Sequence, residues 1–208
     1  AYLDDLRTQG VDESLASRFE ESFLTEAIGP QLHRFDDAMQ QVAGVQGKKV
    51  APLKISGGEM RVPIGKYAEL IASLVHAFRN AVDHGIELSD ERIGHGKPAA
   101  GSVEVEMQKV GGGGLRIVII DDGRGISPAA IRKKLAGKLG ESVLAAESDA
   151  QVIQHVFDAG FSTAEAVTEI SGRGVGMDAI AAAAKKLEGT VRVVSREGQG
   201  TGLIIQVH

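Results

Sequence analysis

Residues 102–120 read SVEVEMQKVGGGGLRIVII, and this stretch decides the fold. From 102 to 109, apolar and polar side chains alternate, a pattern that is typical of a strand with one buried face. The glycines at 111–114 provide a turn, and the largely apolar stretch at 115–120, interrupted only by Arg116, predicts a buried strand. Because only a short turn joins the two strands, they are expected to pair antiparallel as a hairpin.

Two further strand pairs are predicted on either side of this hairpin. Residues 48–56 and 59–63 are short extended pieces separated by a pair of glycines, which indicates a second hairpin. Residues 190–195 and 203–207 are apolar strands separated by a glycine-rich connection, which indicates a third.

Helices are predicted between the strand pairs. The most regular, at 66–84, carries one apolar stripe and ends at Gly85, and the charged chain at 85–100 is predicted as a loop. Helices that cover one face of antiparallel strand pairs indicate an α+β fold, a two-layer sandwich with a mixed, mostly antiparallel sheet and an N-terminal helical segment. The other predicted helices are two polar ones within 1–46, divided at Gly29-Pro30, and those at 128–139, 151–157 and 175–187.

Composition excludes several classes of function. The 208 residues include no cysteine, which excludes disulfides, thiol catalysis and cysteine-ligated zinc. With 23 basic and 28 acidic residues the formal charge is -5, which argues against nucleic acid as a partner. The apolar runs fall short of the roughly 20 residues that a membrane helix needs, so no membrane insertion is expected. A chain that begins at Ala1 without a signal-like segment is expected to be a cytoplasmic piece of a longer protein.

Three glycine clusters lie at junctions between predicted elements: DDGRGI at 121–126, GRGVGM at 172–177 and GTG at 200–202. Glycine lets a backbone approach a ligand closely and direct N–H groups toward it. The second cluster opens a predicted helix, where N–H groups and the helix dipole favour phosphate oxygens. No βαβ unit surrounds it, so a dinucleotide-binding fold is rejected. Each cluster taken singly is equally compatible with an ordinary turn.

A polar face runs along the helix at 66–84. His76 and Asn80 are four residues apart, and Asp83 and His84 follow one turn later. An asparagine oxygen suits Mg²⁺, which completes its shell with waters and phosphates, and a histidine can accept or orient a proton. Zinc is disfavoured because Asn80 stands where a ligand histidine is expected. A solvated helix face is the alternative interpretation of these residues.

Taken together, the motifs resemble those of the chemotaxis histidine kinases of the CheA class. The resemblance covers roughly residues 48–207. It implies the Bergerat ATP-binding fold, which these kinases share with chaperone ATPases, type II topoisomerases and MutL. The matching stretches, in the order of the family, are the N box HAFRNAVDHGIE at 76–87, a glycine box DDGRGI at 121–126, the F-box region GFSTAEAVTE at 160–169, a second glycine box SGRGVGMD at 171–178 and a final GTG at 200–202.

The resemblance implies roles for individual residues. Asn80 would hold Mg²⁺ between the ATP phosphates, and His76 occupies the position of a base or positioning group in phosphoryl transfer. Asp121 would accept a hydrogen bond from the adenine amino group, with Thr201 reaching the same base through water. Residues 158–174 would form a lid over ATP. The further ATP-binding residues that it implies are Asp83, His84, Gly123, Gly125, Ile126, Lys134, Ser162, Thr163, Gly172, Arg173, Gly174, Val175, Gly176 and Met177.

The function that the resemblance implies is that of an ATP- and Mg²⁺-dependent protein histidine kinase. It would transfer the γ-phosphate of ATP to a histidine on a separate phosphotransfer domain in trans. A response regulator would act downstream, and flanking domains would bind coupling or receptor proteins. Residues 47–208 would be the catalytic domain, and residues 1–46 a dimerisation remnant or an insert, so that a dimer through these helices is expected.

Two other functions are weighed against the kinase. The first is a non-catalytic nucleotide-binding module of the same fold, in which ATP only rearranges the protein. The second is an ATPase of the chaperone or topoisomerase branch, which would require a glutamate in place of His76 to activate water. The histidine at that position argues against the second alternative.

Overall fold

A five-stranded sheet with helices packed on one face forms the body of the protein. The computed structural model describes residues 8–161 and 176–208. The strands, in chain order, are β1 (Glu26–Ala27), β2 (Lys54–Ser56), β3 (Arg61–Val62), β4 (Val103–Val110), β5 (Gly114–Asp121), β6 (Thr190–Arg196) and β7 (Gly200–Val207). The helices are α1 (Glu13–Phe23), α2 (Gly29–Val45), α3 (Ile64–Ser73), α4 (Val75–Asn80), α5 (Ser89–Gly94), α6 (Pro128–Leu139), α7 (Glu141–Ala146), α8 (Asp149–Val152) and α9 (Met177–Lys186), with a π-helical turn at Ala81–Gly85 and 3-10 turns at Gly111–Gly113 and Ile153–Phe157.

The main sheet has the strand order β2-β4-β5-β7-β6. β2 runs parallel to β4, and the other neighbours are antiparallel. The predicted hairpin at 102–120 is confirmed, because Val103 pairs with Asp121 and Val110 with Gly114. The C-terminal hairpin of β6 and β7 is confirmed as well. The mixed, mostly antiparallel sheet with helices against it therefore agrees with the predicted two-layer α+β sandwich.

The hairpin predicted at 48–63 is wrong. β2 pairs with β4, whereas β3 pairs with β1 in a separate two-stranded sheet. The two intervening glycines serve close approaches of the backbone instead. A Cβ on Gly57, where φ is +80°, would lie 2.3 Å from the Met107 carbonyl oxygen, and Gly58 accepts a hydrogen bond from Gly29 N–H at 2.8 Å. Both glycines thus anchor this connection to its neighbours.

The long helix predicted at 66–84 is divided into α3, α4 and the π-helical turn. Its start at Ile64 is two residues earlier than predicted. Near the break, the buried Ser73 hydroxyl donates to the Leu70 carbonyl at 2.7 Å, a contact that competes with helical hydrogen bonding and bends helices. The region at 85–100, predicted as a loop, contains α5.

Helices from both ends of the chain share one core with the sheet. The ring centroids of Phe35 on α2 and Phe78 on α4 lie 4.8 Å apart in a stacked arrangement. Ile180 on α9 is fully buried in the same cluster, beneath the sheet residues Ile117 and Ile205. A second apolar cluster joins α6, α7 and α8 to β6. Within the described residues, no helix has the length and apolar character of a membrane span.

At the outer edge of the sheet, a side chain takes the place of a further strand. The Gln154 amide nitrogen donates to the Val193 carbonyl at 2.8 Å, and the Val193 N–H donates to the Gln154 amide oxygen at 3.0 Å. This pair of bonds reproduces the exchange between two antiparallel residues. It fixes the 3-10 turn at Ile153–Phe157 against β6.

Candidate functional site

The candidate site forms where β5 and β7 end side by side. Asp121 is the last residue of β5 and pairs across the sheet with Thr201 of β7. The Asp121 side chain is buried, and its carboxylate accepts a hydrogen bond from the Gly123 N–H at 2.9 Å. Burial raises the pKa of Asp121 to about 6, although the N–H groups of Gly123 and Thr201 oppose the shift. The two N–H groups do not fully offset the cost of burying the charge, so this carboxylate favours an additional hydrogen-bond donor.

Two predicted motifs meet at this carboxylate. A Cβ on Gly85, at the end of the π-helical turn, would lie 3.1 Å from Asp121 Oδ1. A Cβ on Gly123 would lie 2.4 Å from the Gly85 carbonyl, and the Arg124 N–H donates to that carbonyl at 2.9 Å. A Cβ at Gly123 would clash with the Gly85 backbone and one at Gly85 would crowd the Asp121 carboxylate, so the two glycines let the N-box stretch contact the first glycine box directly.

The final glycine box is tied to the same turn by Ser195. The Ile126 N–H donates to the Ser195 hydroxyl oxygen at 2.9 Å, and this hydroxyl lies 3.1 Å from the Thr201 hydroxyl. Gly125 has φ of +73°, and a Cβ there would lie 2.3 Å from the Arg196 carbonyl. Ser195 links the two glycine boxes although it lies outside every motif of the sequence.

His76 on α4 faces the beginning of α9. Burial lowers the pKa of His76, and Arg79 adds to the effect, while Asp178 opposes it. Asp178 is held in place because its carboxylate accepts the N–H groups of Gly176 at 2.8 Å and Ala179 at 3.0 Å. The predicted residues Gly176 and Met177 therefore stand at the helix end that His76 faces.

The remaining polar residues of the N-box stretch differ in their surroundings. Asp83 accepts the Arg79 Nε–H at 3.0 Å and a hydrogen bond from Gln46, so its charge is already engaged. His84 is exposed and Asn80 half-buried. Within residues 8–161 and 176–208, neither the Asn80 amide nor the His84 ring makes a hydrogen bond, so both are available to a ligand.

Lys134 lies on α6, one of the helices that contribute to the second apolar cluster. Its Nζ lies 4.4 Å from the centroid of the Phe161 ring, a cation–π contact. No contact of the described residues joins it to His76, Asn80 or Asp121. Six predicted residues lie outside the described residues: Ser162, Thr163, Gly172, Arg173, Gly174 and Val175.

A buried charge network behind Asp121 is absent from the predicted site. Glu87 and Arg92 pair at 2.8 Å with almost no exposed surface, and Lys97 and Asp122 complete the group. Burial alone would raise the pKa of Glu87, but hydrogen bonds from Lys97 and Arg92 outweigh it and lower the pKa. The signal in the sequence is the density of charge at 87–97, which is also compatible with a solvated loop.

The described residues contain no cluster of three or more histidine or acidic side chains that could enclose a metal ion. Asn80 offers one neutral oxygen on the polar face of α4. A single such ligand fits Mg²⁺, which keeps waters and takes its other ligands from substrate phosphates. The described residues therefore fit a Mg²⁺ site whose ligands come partly from Asn80 and partly from substrate phosphates and water.

Comparison with known proteins places these features in a family. A family model described as histidine kinase-, DNA gyrase B-, and HSP90-like ATPase matches residues 69–208. Chemotaxis protein CheA of Borreliella burgdorferi is 37% identical over 196 residues, which are 93% of this chain and 23% of that protein. The gliding motility regulatory protein of Myxococcus xanthus is 37% identical over 175 residues, 83% of this chain and 22% of that protein. The chain thus spans about a quarter of the length of these relatives.

Solved structures show the same fold. Full-length ShkA in complex with AMPPNP matches 99% of this chain and 38% of its own with a TM-score of 0.52 and 19% identity. The histidine kinase domain from the Erythrobacter litoralis EL346 blue-light activated histidine kinase matches 98% and 84% with a TM-score of 0.50 and 17% identity. At these identities the likeness concerns the fold alone. The family match and the curated relatives confirm the resemblance found in the motifs, and the chain belongs to the histidine kinase-, DNA gyrase B- and HSP90-like ATPase family, as an ATPase domain of the CheA class.

Proposed function

We propose that this chain is the ATP-binding catalytic core of a CheA-like histidine kinase. It transfers the γ-phosphate of ATP to a histidine on a separate domain or protein. The observation that carries the proposal is the buried carboxylate of Asp121, which lies where the N-box stretch contacts the strand ends. Family membership supports ATP as the nucleotide.

Asp121 is proposed to select adenine. Its carboxylate accepts hydrogen bonds and, above its pKa of about 6, donates none. The exocyclic amino group of adenine donates, whereas the oxygen at the same position of guanine or hypoxanthine would face the carboxylate as a second acceptor. A buried acceptor opposite another acceptor remains unpaired, so ATP is favoured over nucleotides with an oxygen there.

The opposite end of the site is proposed to bind the phosphates. Asn80 would hold Mg²⁺ through its amide oxygen, and the bound ion would neutralise charge on the phosphates during transfer. The backbone at Gly176 and Met177 begins α9, where helix N–H groups favour phosphate oxygens. Lys134, Asp83, His84 and the glycines at 172–174 are assigned to this end by the resemblance of their motifs.

His76 is proposed as the base or positioning group. Its lowered pKa keeps the imidazole neutral at neutral pH, so a ring nitrogen is free to accept a hydrogen bond. Asp178 stands near the ring and can orient it. Phosphoryl transfer depends mainly on positioning and on neutralisation of charge, and a neutral imidazole beside a helix N-terminus serves the first need.

The test is transfer of label from ATP to a partner. The chain is incubated with γ-labelled ATP, Mg²⁺ and candidate helical domains that contain a histidine, and acid-labile label on the partner is measured. Label that appears on a partner, and disappears when the partner's histidine is replaced by Gln, supports the kinase. ATP binding with no label on any partner would instead identify the non-catalytic nucleotide module.

The wider setting of the protein is proposed from its relatives. The chain spans about a quarter of CheA proteins, whose names assign them to chemotaxis. We propose a soluble cytoplasmic kinase that acts with a response regulator and, through flanking domains, with coupling or receptor proteins. Which output it serves is decided by identifying the regulator that accepts its phosphate in a transfer assay.

Residues 1–46 are proposed to contribute to a dimer. The α1 side chains Leu15, Phe19 and Phe23 follow a four-residue spacing and are 61%, 37% and 73% exposed. Sedimentation analysis of the chain and of a Phe23→Lys variant tests this role. A monomer at all concentrations would contradict it, and a dimer that the variant dissociates would support it.

A further inference from the structure

The buried charges behind Asp121 have no part in the roles proposed so far. The group consists of Glu87, Arg92, Lys97 and Asp122. The side chains of Arg92 and Glu87 are 0% and 2% exposed, and that of Lys97 is 16% exposed. The Asp122 side chain is 34% exposed. Burying the other three charged groups is costly, and replacing such groups with apolar ones is often neutral or stabilising. The stability of the fold therefore does not by itself account for these charges, and the contacts of the two cations point to another role.

Lys97 donates hydrogen bonds to the backbone of the first glycine box. Its ammonium donates to the Glu87 carboxylate at 2.8 Å, to the Asp122 carbonyl at 2.9 Å and to the Gly123 carbonyl at 2.7 Å. An ammonium has three N–H donors, and all three are used. Two of these bonds go to consecutive carbonyls of the turn that follows Asp121.

Arg92 also donates hydrogen bonds to this turn. Its Nη2–H donates to the Asp122 carboxylate at 2.7 Å, and its Nη1–H donates to Glu87 at 2.8 Å and to the Asp122 carbonyl at 3.3 Å. Its Nε–H donates to the Pro98 carbonyl at 2.8 Å, which fixes the guanidinium plane. The other Asp122 oxygen accepts the Ser102 N–H at 2.8 Å.

One peptide unit connects these cations to Asp121. The Asp122 carbonyl and the Gly123 N–H belong to the same planar amide, in which the C=O and N–H point in opposite directions. Lys97 and Arg92 hold the carbonyl, and the N–H donates to Asp121 Oδ1 at 2.9 Å. Holding the oxygen of a rigid plane also fixes the direction of its N–H. A cation on the carbonyl further strengthens the N–H as a donor.

We propose that Lys97 and Arg92, with Glu87 as their counter-charge, are positioning residues that orient the Asp121 carboxylate toward the base of the nucleotide. The inference rests on the proposed role of Asp121 and adds the source of its selectivity. Neither cation touches the nucleotide; both act through the Asp122–Gly123 peptide. Their effect falls on recognition of the base and leaves the phosphate end unchanged.

This division gives the proposal a measurable signature. ATP and inosine triphosphate share the ribose and the phosphates, but only ATP has an amino group that can donate to Asp121. A misdirected carboxylate weakens the bond to that amino group and leaves the shared contacts intact. The ratio of the two dissociation constants therefore reports the orientation of Asp121, whereas a loss of stability alone would leave the ratio unchanged.

The experiment compares Lys97→Met with wild type by calorimetric titration of ATP and inosine triphosphate. Loss of one charge-assisted bond is expected to weaken ATP binding about tenfold, with little change for inosine triphosphate, so that the ratio narrows about tenfold. Lys186→Met is the matched control, because Lys186 is the exposed last residue of α9 and its ion pair is with Glu69 on α3. Its ratio should equal that of wild type.

A second variant covers the case in which Lys97→Met does not fold. Asp122→Asn keeps the shape and the acceptor for Ser102, but it turns an amide N–H toward Arg92 and so disturbs the turn. A narrower ratio in folded Lys97→Met supports the proposal, and a wild-type ratio in that variant overturns it. If Lys97→Met does not fold, the same two outcomes in Asp122→Asn decide the proposal. If wild-type protein binds ATP without preferring it to inosine triphosphate, the role of Asp121 fails first, and the inference fails with it.

Discussion

The two ends of the candidate site differ in how far the protein satisfies its own polar groups. At the proposed adenine end, the four charges behind Asp121 are paired with each other and with backbone carbonyls. At the proposed phosphate end, the Asn80 amide and the exposed His84 ring form no hydrogen bond within the described residues. The first end is rigid before a ligand arrives, whereas the second leaves bonding capacity for the ligand and its ion.

The difference shows how stability and chemistry are distributed. Saturated charges specify one geometry but have no capacity left for a substrate. Unsaturated groups can bind a substrate but add little to the fold. Changes to the charges behind Asp121 should therefore affect stability and base selectivity, and changes at the proposed phosphate end should affect Mg²⁺-dependent binding and turnover with little effect on the fold.

The largest effect is expected for Asn80→Ala. Removing the oxygen that would hold Mg²⁺ is expected to lower the rate of transfer about 100- to 1000-fold, the range found when one electrostatic contact to a transition state is lost. The measurement is labelled phosphate on the acceptor domain at saturating ATP. ATP affinity in the presence of a chelator should stay within about twofold of wild type, and unaltered turnover would remove Asn80 from its proposed role.

Glu87→Gln should instead weaken the fold. It leaves Arg92 and Lys97 buried without their shared carboxylate, and breaking a buried pair of this kind costs about 3 kcal/mol. The free energy of unfolding in urea measures the loss. Glu104→Gln is the matched control, since its partner Lys54 is exposed and its midpoint should not move. Equal midpoints for the two variants would contradict the described network.

Asp121→Asn should separate binding from stability. Loss of a charge-assisted hydrogen bond predicts ATP binding that is weaker by about 10- to 100-fold. The unliganded variant should unfold at no lower temperature than wild type at pH 8, because ionised Asp121 is buried at a cost. Titration calorimetry and thermal melts provide the two measurements, and an unchanged dissociation constant would contradict the adenine role.

The smallest effect is the dependence on pH. Asp121 has a raised pKa of about 6, so its accepting, ionised form prevails above pH 7 and declines as the pH falls. ATP affinity is expected to fall roughly fourfold between pH 7.5 and 5.5. Asp121→Asn corrects for titration of the nucleotide itself, and equal slopes for the two proteins would count against this prediction.

Without ATP the sign is reversed. Because the folded pKa of Asp121 lies above the unfolded value of 3.8, this group contributes stability that is present below pH 3.8 and lost as the pH rises through about 6. Wild type minus Asp121→Asn, measured by urea unfolding at several pH values, should follow that course.

Local sequence patterns were sufficient to predict the β4–β5 and β6–β7 hairpins but not the partners of β2 and β3. The alternating residues at 103–109 and the glycine turn lie within one hairpin, so neighbouring residues determine the pairing. β2 and β3 contain only three and two residues, and their partners lie far along the chain. A close approach of Gly57 to Met107 has the same sequence signature as a turn. The hairpin prediction failed because a glycine does not reveal which constraint it satisfies.

The candidate site shows the same limit. Asp121, Gly85 and Thr201 belong to recognisable motifs, and the structure brings them together. Lys97 and Arg92 do not belong to a motif in the sequence analysis, because a charged stretch beside a turn is usually a solvated surface. Only the tertiary fold shows that both cations point inward at the backbone of a neighbouring loop.

The Gln154 side chain, which pairs with Val193 of β6, also affects how copies of the protein can associate. The unpaired N–H and C=O groups of an edge strand can pair with a strand of another chain, which leads to aggregation. Here an incoming chain would first have to displace both amide bonds to Val193. Val193 of this edge strand is thus already paired, which disfavours strand addition by another copy of the chain.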